Sequence, residues 1–313
     1  MQINSGTYPL ISVALCTYNG ALYLAEQLDT IINQTYANLE IVITDDASTD
    51  DTINIINSFL QKDSRINLYR NEKNLGYNKN FEKAFCLCRG DFIAIADQDD
   101  VWESHKIECM MNAWPRDSSF IYSLSGSFTK SDFESRKSPP DVLHGDVANV
   151  HKLVFNSPVH GHACMFKKDF LPLCMPFPVD IYYDWWMSMH AVANGNIGFI
   201  PQILTWHRFH ESNHSPHIIS IKDKAVNNEK RREQMIYVIE AICAKGVIKQ
   251  ADKESLLQYV AILKKMDGKT FSWPMFRYIL KNRKLVFYYK KQKPLIILSY
   301  IKHAFRMGYK GVL

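Results

Sequence analysis

The chain has 313 residues, of which 47% are apolar, and a formal net charge of +5. This length and apolar content suffice for one large globular domain or two smaller ones. No apolar run approaches the ~20 residues of a membrane-spanning helix, and the N-terminus lacks the basic and apolar segments of a signal peptide. The seven cysteines have no zinc or thioredoxin spacing, so we expect reduced thiols and a cytoplasmic protein.

The positive charge is concentrated at the C-terminus. Residues 268–313 contain eleven Lys or Arg and no Asp or Glu. The other 26 basic residues are therefore outweighed by 32 acidic ones, which gives the rest of the chain a net charge of −6. A mildly acidic body with one basic end favours contact with a localised anionic surface over general binding of nucleic acid.

Short apolar runs alternate with amphipathic helical patterns over the first hundred residues. The predicted strands cover residues 10–15, 39–43, 66–69 and 92–96. In the first predicted helix, the inward positions at helical spacing are Leu22, Ala25, Leu28, Ile31 and Ile32. Alternation with short links predicts a doubly wound, mostly parallel sheet flanked by helices. Residues 130–140, rich in Ser, Lys and Pro, are predicted to form a surface loop.

Carboxylates follow two of the predicted strands. Asp45 and Asp46 end the second strand, and Asp97, Asp99 and Asp100 follow the fourth. In a core they would repel one another and lose hydration, but open α/β sheets bind ligands at the carboxyl ends of their strands. Mg²⁺ or Mn²⁺ prefers oxygen ligands and would clamp a diphosphate there. A solvated acidic turn followed by a helix cap is the alternative.

Four segments of the chain, residues 12–20, 34–50, 74–76 and 97–102, carry motifs in a recognisable order. In this order they resemble the family 2 inverting glycosyltransferases. The resemblance covers roughly residues 1–210. It implies an α/β fold of the GT-A type, which is Rossmann-like with a mostly parallel central sheet, and inverting transfer from a nucleotide-diphosphate sugar.

The resemblance also implies roles for single residues. Tyr18 and Asp46 would contact the base and ribose, Asp97 would lie near the ribose or sugar, and Asp99 would bind Mn²⁺ or Mg²⁺. The other residues expected around the nucleotide sugar are Thr17, Asn19, Asp45, Asn74, Gly76, Asn80 and Gln98. Cys16 departs from the family, which often has Pro, Thr or Ser at a position that makes a backbone-like contact.

Two later segments extend the resemblance towards the acceptor. His160, Gly161 and His162 lie where the family borders the sugar and acceptor, although a turn entering a strand explains either histidine. Asp184 lies in an Asp-Trp-Trp pattern that resembles one in bacterial O-antigen and other polysaccharide rhamnosyltransferases and their relatives. The resemblance implies that Asp184 is the general base that deprotonates the acceptor hydroxyl and that Trp185 lies at the same pocket. The alternative for Asp184 is a cap on a helix that runs to about residue 193 and stops at Gly195.

Residues 207–213 are similar to the family ending Tyr-Arg-x-His-x-x-Asn, with His207 in place of Tyr. The resemblance implies that Arg208 or His210 meets the diphosphate and that His210 completes the metal site. A structural role is the alternative for each histidine.

Beyond residue 215 the resemblance fades, so we expect a catalytic domain over residues 1–215 and a helical, basic extension over 216–313. Aromatic residues mixed with Lys and Arg predict association with an anionic membrane surface. The residues expected to face it include Lys281, Arg283, Lys284, Lys290 and Lys291. A solvated helical hairpin packed on the catalytic domain is the alternative.

The sequence therefore predicts a cytoplasmic glycosyltransferase, peripheral to the inner face of the plasma membrane. Its donor would be dTDP-rhamnose or a UDP-hexose, and its acceptor a lipid-linked saccharide. Asp97 and Asp99 also fit the D-x-D-x-[TV] pattern of haloacid-dehalogenase-like phosphatases, although there the pattern usually ends the first strand. The non-enzymatic alternative is an inactive sugar-nucleotide-binding subunit.

Overall fold

A computed structural model describes residues 9–129, 132–138, 149–195, 197–210, 221–288 and 296–312. The strands in these ranges are β1 (Ile11–Thr17), β2 (Leu39–Asp45), β3 (Ile66–Arg70), β4 (Phe92–Asp97), β5 (Val101–Trp102), β6 (Phe120–Thr129), β7 (Asp132–Lys137), β8 (Cys164–Lys167) and β9 (Ile197–Phe209). The helices are α1 (Leu24–Ile32), α2 (Thr52–Leu60), α3 (Tyr77–Leu87), α4 (Lys106–Asn112), α5 (Val150–Phe155), α6 (Leu171–Cys174), α7 (Tyr183–Ala193), α8 (Ile221–Lys245), α9 (Gln250–Leu263), α10 (Trp273–Lys281), α11 (Arg283–Val286) and α12 (Ile296–Lys310).

The first four strands form the parallel half of one sheet, in the order β3-β2-β1-β4. Almost every residue of β1 and β2 is buried, as expected for parallel strands covered on both faces. Thr17 pairs with Asp45, and Cys16 pairs with Asp97. The carboxyl ends of β1, β2 and β4 therefore lie at one edge, which confirms the predicted layout.

The second half of the sheet is mixed. β8 is antiparallel to both β4 and β6, β6 is parallel to β9, and the short β5 is antiparallel to β9. The pairing of Val101 with Trp206 sets the end of β9 beside the acidic loop that follows β4. This half of the sheet therefore brings residues 207–210 to the same site.

Two sequence predictions are wrong. Residues 132–137 form β7, which pairs with β6, and are not part of a continuous loop. A strand at the edge of a sheet needs backbone pairing but no fully buried side chains. This polar strand therefore lacks the apolar run by which a buried strand is recognised in a sequence. In α1, Leu22 precedes the helix and is exposed, as is Ala25, whereas Leu24, Gln27, Leu28 and Ile31 form the buried face.

The chain divides into two units. The first comprises Met1–Pro140, Val159–Met187 and Asn196–Glu211, and it contains all nine described strands. The second comprises Asp141–Pro158, Ser188–Gly195 and Ser212–Leu313, with α8 to α12 among its helices. The expected boundary near residue 215 stays a prediction. No helix within the described ranges combines the length and the apolar character needed to cross a membrane.

Candidate active site

The Asp45 carboxylate, at the end of β2, fixes the loop that follows this strand. Asp45 is fully buried and accepts hydrogen bonds from the Thr17 hydroxyl at 3.0 Å and the Ser48 backbone N–H at 2.9 Å. Its carboxylate therefore shapes the loop after β2. Of the residues predicted for the nucleotide site, Asp45 and Thr17 lie at the predicted edge but contact each other.

Asp46 shapes the neighbouring loop. Its carboxylate accepts hydrogen bonds from the backbone N–H groups of Leu75 and Gly76, at 2.8 and 2.9 Å, and from the Asn71 amide at 2.8 Å. Gly76 has φ +82°, a conformation that favours glycine. The Asn80 side chain accepts from Asn71 and donates to the backbone carbonyl of Thr44. This network explains why an Asn-Leu-Gly turn follows β3.

Gln98 joins the ends of β1 and β4. Its amide oxygen accepts from the Tyr18 N–H at 2.9 Å, and its amide N–H donates to the Tyr18 carbonyl at 3.1 Å. Asn19, in a left-handed conformation (φ 47°), accepts the Thr49 N–H at 2.8 Å. The Tyr18 ring is left exposed at the mouth of this edge, where it can stack on a base.

The acidic loop after β4 contains three carboxylates in different environments. Asp97 is the most exposed of the three, Asp99 is mostly buried, and Asp100 is fully buried. The Nε2 atom of His210 lies 2.8 Å from Asp99 Oδ2, so the two residues predicted as metal ligands are in contact. Burial, followed by the negative charges of Asp100 and Asp97, raises the pKa of Asp99 to about 6.

Asp100, the fully buried carboxylate of the acidic loop, lies between two histidines. Its Oδ1 is 2.9 Å from His207 Nδ1, and its Oδ2 is 3.2 Å from His162 Nδ1. Burial alone would raise the pKa of Asp100, but the two histidines and the Arg208 backbone N–H lower it overall. Burial lowers the pKa of His207, but its hydrogen bond to Asp100 and the nearby carboxylates outweigh this and raise the value to about 9.

The same three residues form a second possible metal site. One ligand atom from each of Asp100, His162 and His207 lies within 4.8 Å of the others. Asp100 Oδ2 is buried, and among the described residues its contact with His162 Nδ1 at 3.2 Å is an ion-pair contact without hydrogen-bond geometry. His207, which departs from the family pattern, is therefore one of the three side chains in this group.

Arg208 is fully buried. Its guanidinium lies 2.6 Å from the Glu26 carboxylate and stacks between the rings of Tyr23 and Phe128. Its Nε donates to the backbone carbonyl of Asp99 at 2.9 Å. This geometry makes Arg208 a positioning residue for the acidic loop, and its predicted contact with a diphosphate stays a prediction.

Asp184 lies at the start of α7. Its Oδ2 accepts from the Gly161 N–H at 3.1 Å and its Oδ1 accepts from the Trp185 N–H at 2.7 Å. A side chain at Gly161 would collide with the Tyr183 hydroxyl, because a Cβ would lie 2.3 Å from that oxygen. Burial raises the pKa of Asp184, and the charge of Asp97 adds to this effect. Trp185 is half-buried beside it.

His160 and His162 differ in their surroundings. His160 is exposed and its ring lies parallel to that of His162, with centroids 5.6 Å apart. His162 is buried, with Nε2 2.8 Å from the Ser125 hydroxyl and Nδ1 3.5 Å from Asp97 Oδ2. Since Gly161 contacts Asp184, residues 161 and 162 connect the predicted base to the acidic loop.

Asn78 is a site residue that sequence reasoning missed. Its amide N–H groups donate to the carbonyls of Pro178 and Ile181 at 2.8 and 2.7 Å, and its oxygen accepts the Tyr183 N–H at 3.2 Å. This buried side chain therefore fixes the start of α7, which carries Asp184. A second asparagine two residues before Asn80, on the buried face of α3, is the only signal in the sequence.

Lys106 was also missed. It is fully buried at the start of α4, where its ammonium donates to the His162 carbonyl at 2.6 Å and lies over the Trp102 ring. Burial lowers the pKa of Lys106 to about 7, against the attraction of Asp100. A lysine on an otherwise apolar helix face, shortly after an acidic loop, is the signal that could have found it.

We expect Asn78→Ala to lower kcat about tenfold, because α7 would lose the hydrogen bonds that orient Asp184. Donor affinity should change little, because the hydrogen bonds that Asn78 makes to Pro178, Ile181 and Tyr183 do not involve Tyr18 or Gln98. Unpaired buried carbonyls should also lower the free energy of unfolding by about 2 kcal/mol. Steady-state kinetics and urea unfolding test this, with the half-buried Asn67→Ala as control; a change in KM alone would contradict it.

The carboxylates lie together at the strand ends of an open α/β sheet, and Asp184 adds a further acidic group at the start of a helix. This arrangement is typical of the active sites of enzymes built on such sheets. A profile of Glycosyl transferase family 2 matches residues 12–171, just over half of the chain. The chain belongs to this family and is a glycosyltransferase.

Individual relatives agree with this. An uncharacterised glycosyltransferase of Haemophilus influenzae is 26% identical in an alignment 277 positions long, which covers 80% of each chain. The Escherichia coli enzyme WfaP, named UDP-Glc:alpha-D-GlcNAc-diphosphoundecaprenol beta-1,3-glucosyltransferase, is 34% identical over 139 residues. That alignment covers 44% of this chain and 54% of WfaP.

Solved structures share the fold. TarS (residues 1–349) of Staphylococcus aureus, in complex with UDP-GlcNAc, has a TM-score of 0.62 at 16% identity, covering 97% of this chain and 90% of that one. The mannosyltransferase PcManGT of Pyrobaculum calidifontis, in complex with GDP-Man and Mn²⁺, has a TM-score of 0.59 at 17% identity, covering 95% and 80%. The chain therefore has the GT-A fold that the sequence predicted.

Proposed function

We propose that the protein is a metal-dependent inverting glycosyltransferase in which Asp184 is the general base. One observation carries this proposal: residues 161 and 162 hold Asp184 on one side and approach Asp97 on the other, at 3.1 and 3.5 Å. If Asp184 is the base and Asp97 borders the diphosphate, these contacts support their acting on one substrate, as direct displacement at an anomeric carbon requires.

The residues fit a divalent cation. Asp99 and His210 offer an oxygen and a nitrogen ligand, and neither is completely buried. An ion that also binds a diphosphate must keep open coordination positions, which favours Asp99 over the fully enclosed Asp100. We assign Asp99 and His210 as the ligands of Mn²⁺ or Mg²⁺, and the Asp100–His162–His207 group as their support. The structure of PcManGT, which shares the fold, is a complex with Mn²⁺, and this supports a divalent cation but not a particular set of ligands.

In the proposed reaction, Asp184 accepts the proton of an acceptor hydroxyl while that oxygen attacks the anomeric carbon. The bond from that carbon to the diphosphate breaks, and the nucleoside diphosphate leaves with the electron pair. The bound cation would neutralise charge on this leaving group. The Gly161 and Trp185 N–H groups hold Asp184 in place, and burial makes it a stronger base than an exposed aspartate.

For the substrates we propose dTDP-rhamnose or a UDP-hexose as donor and a lipid-linked saccharide as acceptor. The resemblance to rhamnosyltransferases supports dTDP-rhamnose, and the similarity to WfaP, a UDP-glucose-dependent enzyme named for a diphosphoundecaprenol-linked acceptor, supports a UDP-hexose and the acceptor class. The reaction would belong to bacterial surface polysaccharide synthesis at the inner face of the plasma membrane.

The anomeric configuration of the product tests the inverting mechanism. We expect NMR coupling constants to show that the transferred sugar has the configuration opposite to that in the donor. A product with retained configuration would exclude Asp184 as a base in single displacement. Asp180→Asn, which changes an exposed carboxylate in the same segment, should give the inverted product at the wild-type rate.

The pH dependence of kcat tests the state of Asp184. The base acts only when deprotonated, and its folded pKa is raised above the ordinary aspartate value of 3.8. We therefore expect kcat to fall with decreasing pH at values above 3.8, on protein that circular dichroism shows to be folded. A rate that is flat down to pH 3.8, or that rises on acidification, contradicts this assignment.

A further inference from the structure

Helix α12 in the second unit has two apolar faces. The inner face consists of Tyr300, Ala304, Met307 and Gly308, all buried. Tyr300 stacks on Phe287 with ring centroids 5.3 Å apart, and the Gly308 carbonyl accepts the Ser272 N–H at 2.8 Å. A Cβ at Gly308 would lie 2.4 Å from the Phe271 ring, so the helix is tightly seated on its neighbours.

The outer face of α12 is also apolar, although it is exposed. Together with Trp273 of α10, its side chains are between 41% and 60% exposed. We call this surface the outer stripe; it consists of Ile297, Leu298, Ile301, Phe305, Tyr309 and Trp273. Its aromatic part is continuous, because the Phe271 ring lies within 5.2 Å of the rings of Trp273, Phe305 and Tyr309. Contiguous apolar surface of this kind marks an interaction site, whereas single exposed residues do not.

Basic side chains border the outer stripe at regular intervals. Ile301, Phe305 and Tyr309 are each followed directly by an exposed Lys or Arg, namely Lys302, Arg306 and Lys310. On α10, Trp273 is followed at four-residue steps by exposed Arg277 and Lys281. Lys284 is exposed as well and Arg283 is half-buried, whereas Lys290 and Lys291 lie outside the described residues. The surface therefore combines apolar groups with positive charge that no acidic residue in 268–313 offsets.

We propose that the outer stripe docks on the surface of an anionic lipid bilayer. Its aliphatic and aromatic side chains would enter the boundary between headgroups and acyl chains, while Lys302, Arg306 and Lys310 reach the lipid phosphates. The absence of acid in residues 268–313 argues against a second copy of the chain, since two such faces would repel each other. Ile297, Leu298 and Ile301 are unsuited to the phosphates of a nucleic acid. The inference is independent of the sugar-transfer reaction.

The test is co-sedimentation of the full-length chain with vesicles of neutral phosphatidylcholine alone or with phosphatidylglycerol added. We expect binding only to the anionic vesicles, and weaker binding in high salt. The double variant Ile301→Ser/Phe305→Ser should lower the partition coefficient about tenfold, because two inserted side chains are lost. The matched control is Val247→Ser/Leu257→Ser, which removes two exposed apolar side chains of the same unit and should leave binding unchanged.

Charge is tested separately. Lys302→Gln/Arg306→Gln should lower the preference for anionic vesicles at least about tenfold, whereas Lys245→Gln/Lys249→Gln, two exposed lysines outside residues 268–313, should leave it unchanged. Equal binding to neutral vesicles, no binding, or equal loss in a variant and its control would overturn the proposal. So would DNA binding or dimerisation that the outer-stripe variant abolishes while vesicle binding stays intact. No donor is present in these assays, so their failure leaves the proposed reaction untouched.

Discussion

Asp184→Asn should abolish sugar transfer while leaving the fold and donor binding intact. Asparagine is nearly the same size and its one amide oxygen can still accept either the Gly161 or the Trp185 N–H, but it cannot take a proton from the acceptor hydroxyl. Loss of a general base lowers rates by about 10²–10⁴-fold, so we expect kcat to fall by about a thousandfold. Steady-state release of nucleoside diphosphate in the presence of acceptor measures this effect.

The Kd of the donor separates the base role from a structural one. It should be the same in Asp184→Asn and wild type by calorimetry, and Asp180→Asn should match wild type in both assays. A purified Asp184→Asn protein with full activity would remove Asp184 from the mechanism. An equal loss of donor affinity and activity would make Asp184 a support of the pocket, in line with a helix-capping role.

Asp99→Asn should have the second large effect, a loss of metal-dependent donor binding. If Asp99 is the open ligand of the cation, its replacement should weaken Mn²⁺ binding in the presence of nucleoside diphosphate and lower kcat/KM by about 10²–10³-fold. Asp184→Asn should leave Mn²⁺ binding unchanged, because it contacts backbone N–H groups and not the acidic loop.

Asp100→Asn is the matched control for this assignment. Asp100 is fully buried between His162 and His207, so its neutralisation should chiefly lower the free energy of unfolding. Near-normal Mn²⁺ affinity in folded Asp100→Asn, with strong loss in Asp99→Asn, is the expected pattern. The reverse pattern would move the metal site to the Asp100–His162–His207 group.

Local patterns were sufficient to predict the ligand-binding edge of the sheet. The ends of β1, β2 and β4 meet because parallel strands with short crossovers bring their carboxyl ends together. The contact between Asp99 and His210 was implied by the family resemblance, and the structure places these residues 2.8 Å apart. The end of α7 could also be predicted from the local sequence, because Gly195 follows the helix by two residues and takes φ +71°, a conformation that favours glycine.

The partners of buried polar groups could not be predicted, because they are far away in the sequence. Asn78 contacts carbonyls about a hundred positions later, and Arg208 pairs with Glu26 across 182 positions. The apolar helix face around Lys106 could be recognised from periodicity, but its contact with the His162 carbonyl could not, and the polar strand Asp132–Lys137 carries no apolar pattern. In each case the tertiary structure determines the role of a side chain whose type alone suggests solvent exposure.

The central claim is that this chain transfers a sugar from a nucleotide-diphosphate donor. A panel of dTDP-rhamnose, UDP-glucose, UDP-galactose, UDP-GlcNAc and GDP-mannose, each with Mn²⁺, tests it by calorimetry and by release of free nucleoside diphosphate. We predict that at least one member binds and is turned over, and that both signals weaken strongly in Asp99→Asn but persist in Val247→Ser. Absence of binding and turnover for every member, on folded wild-type protein, would contradict the account.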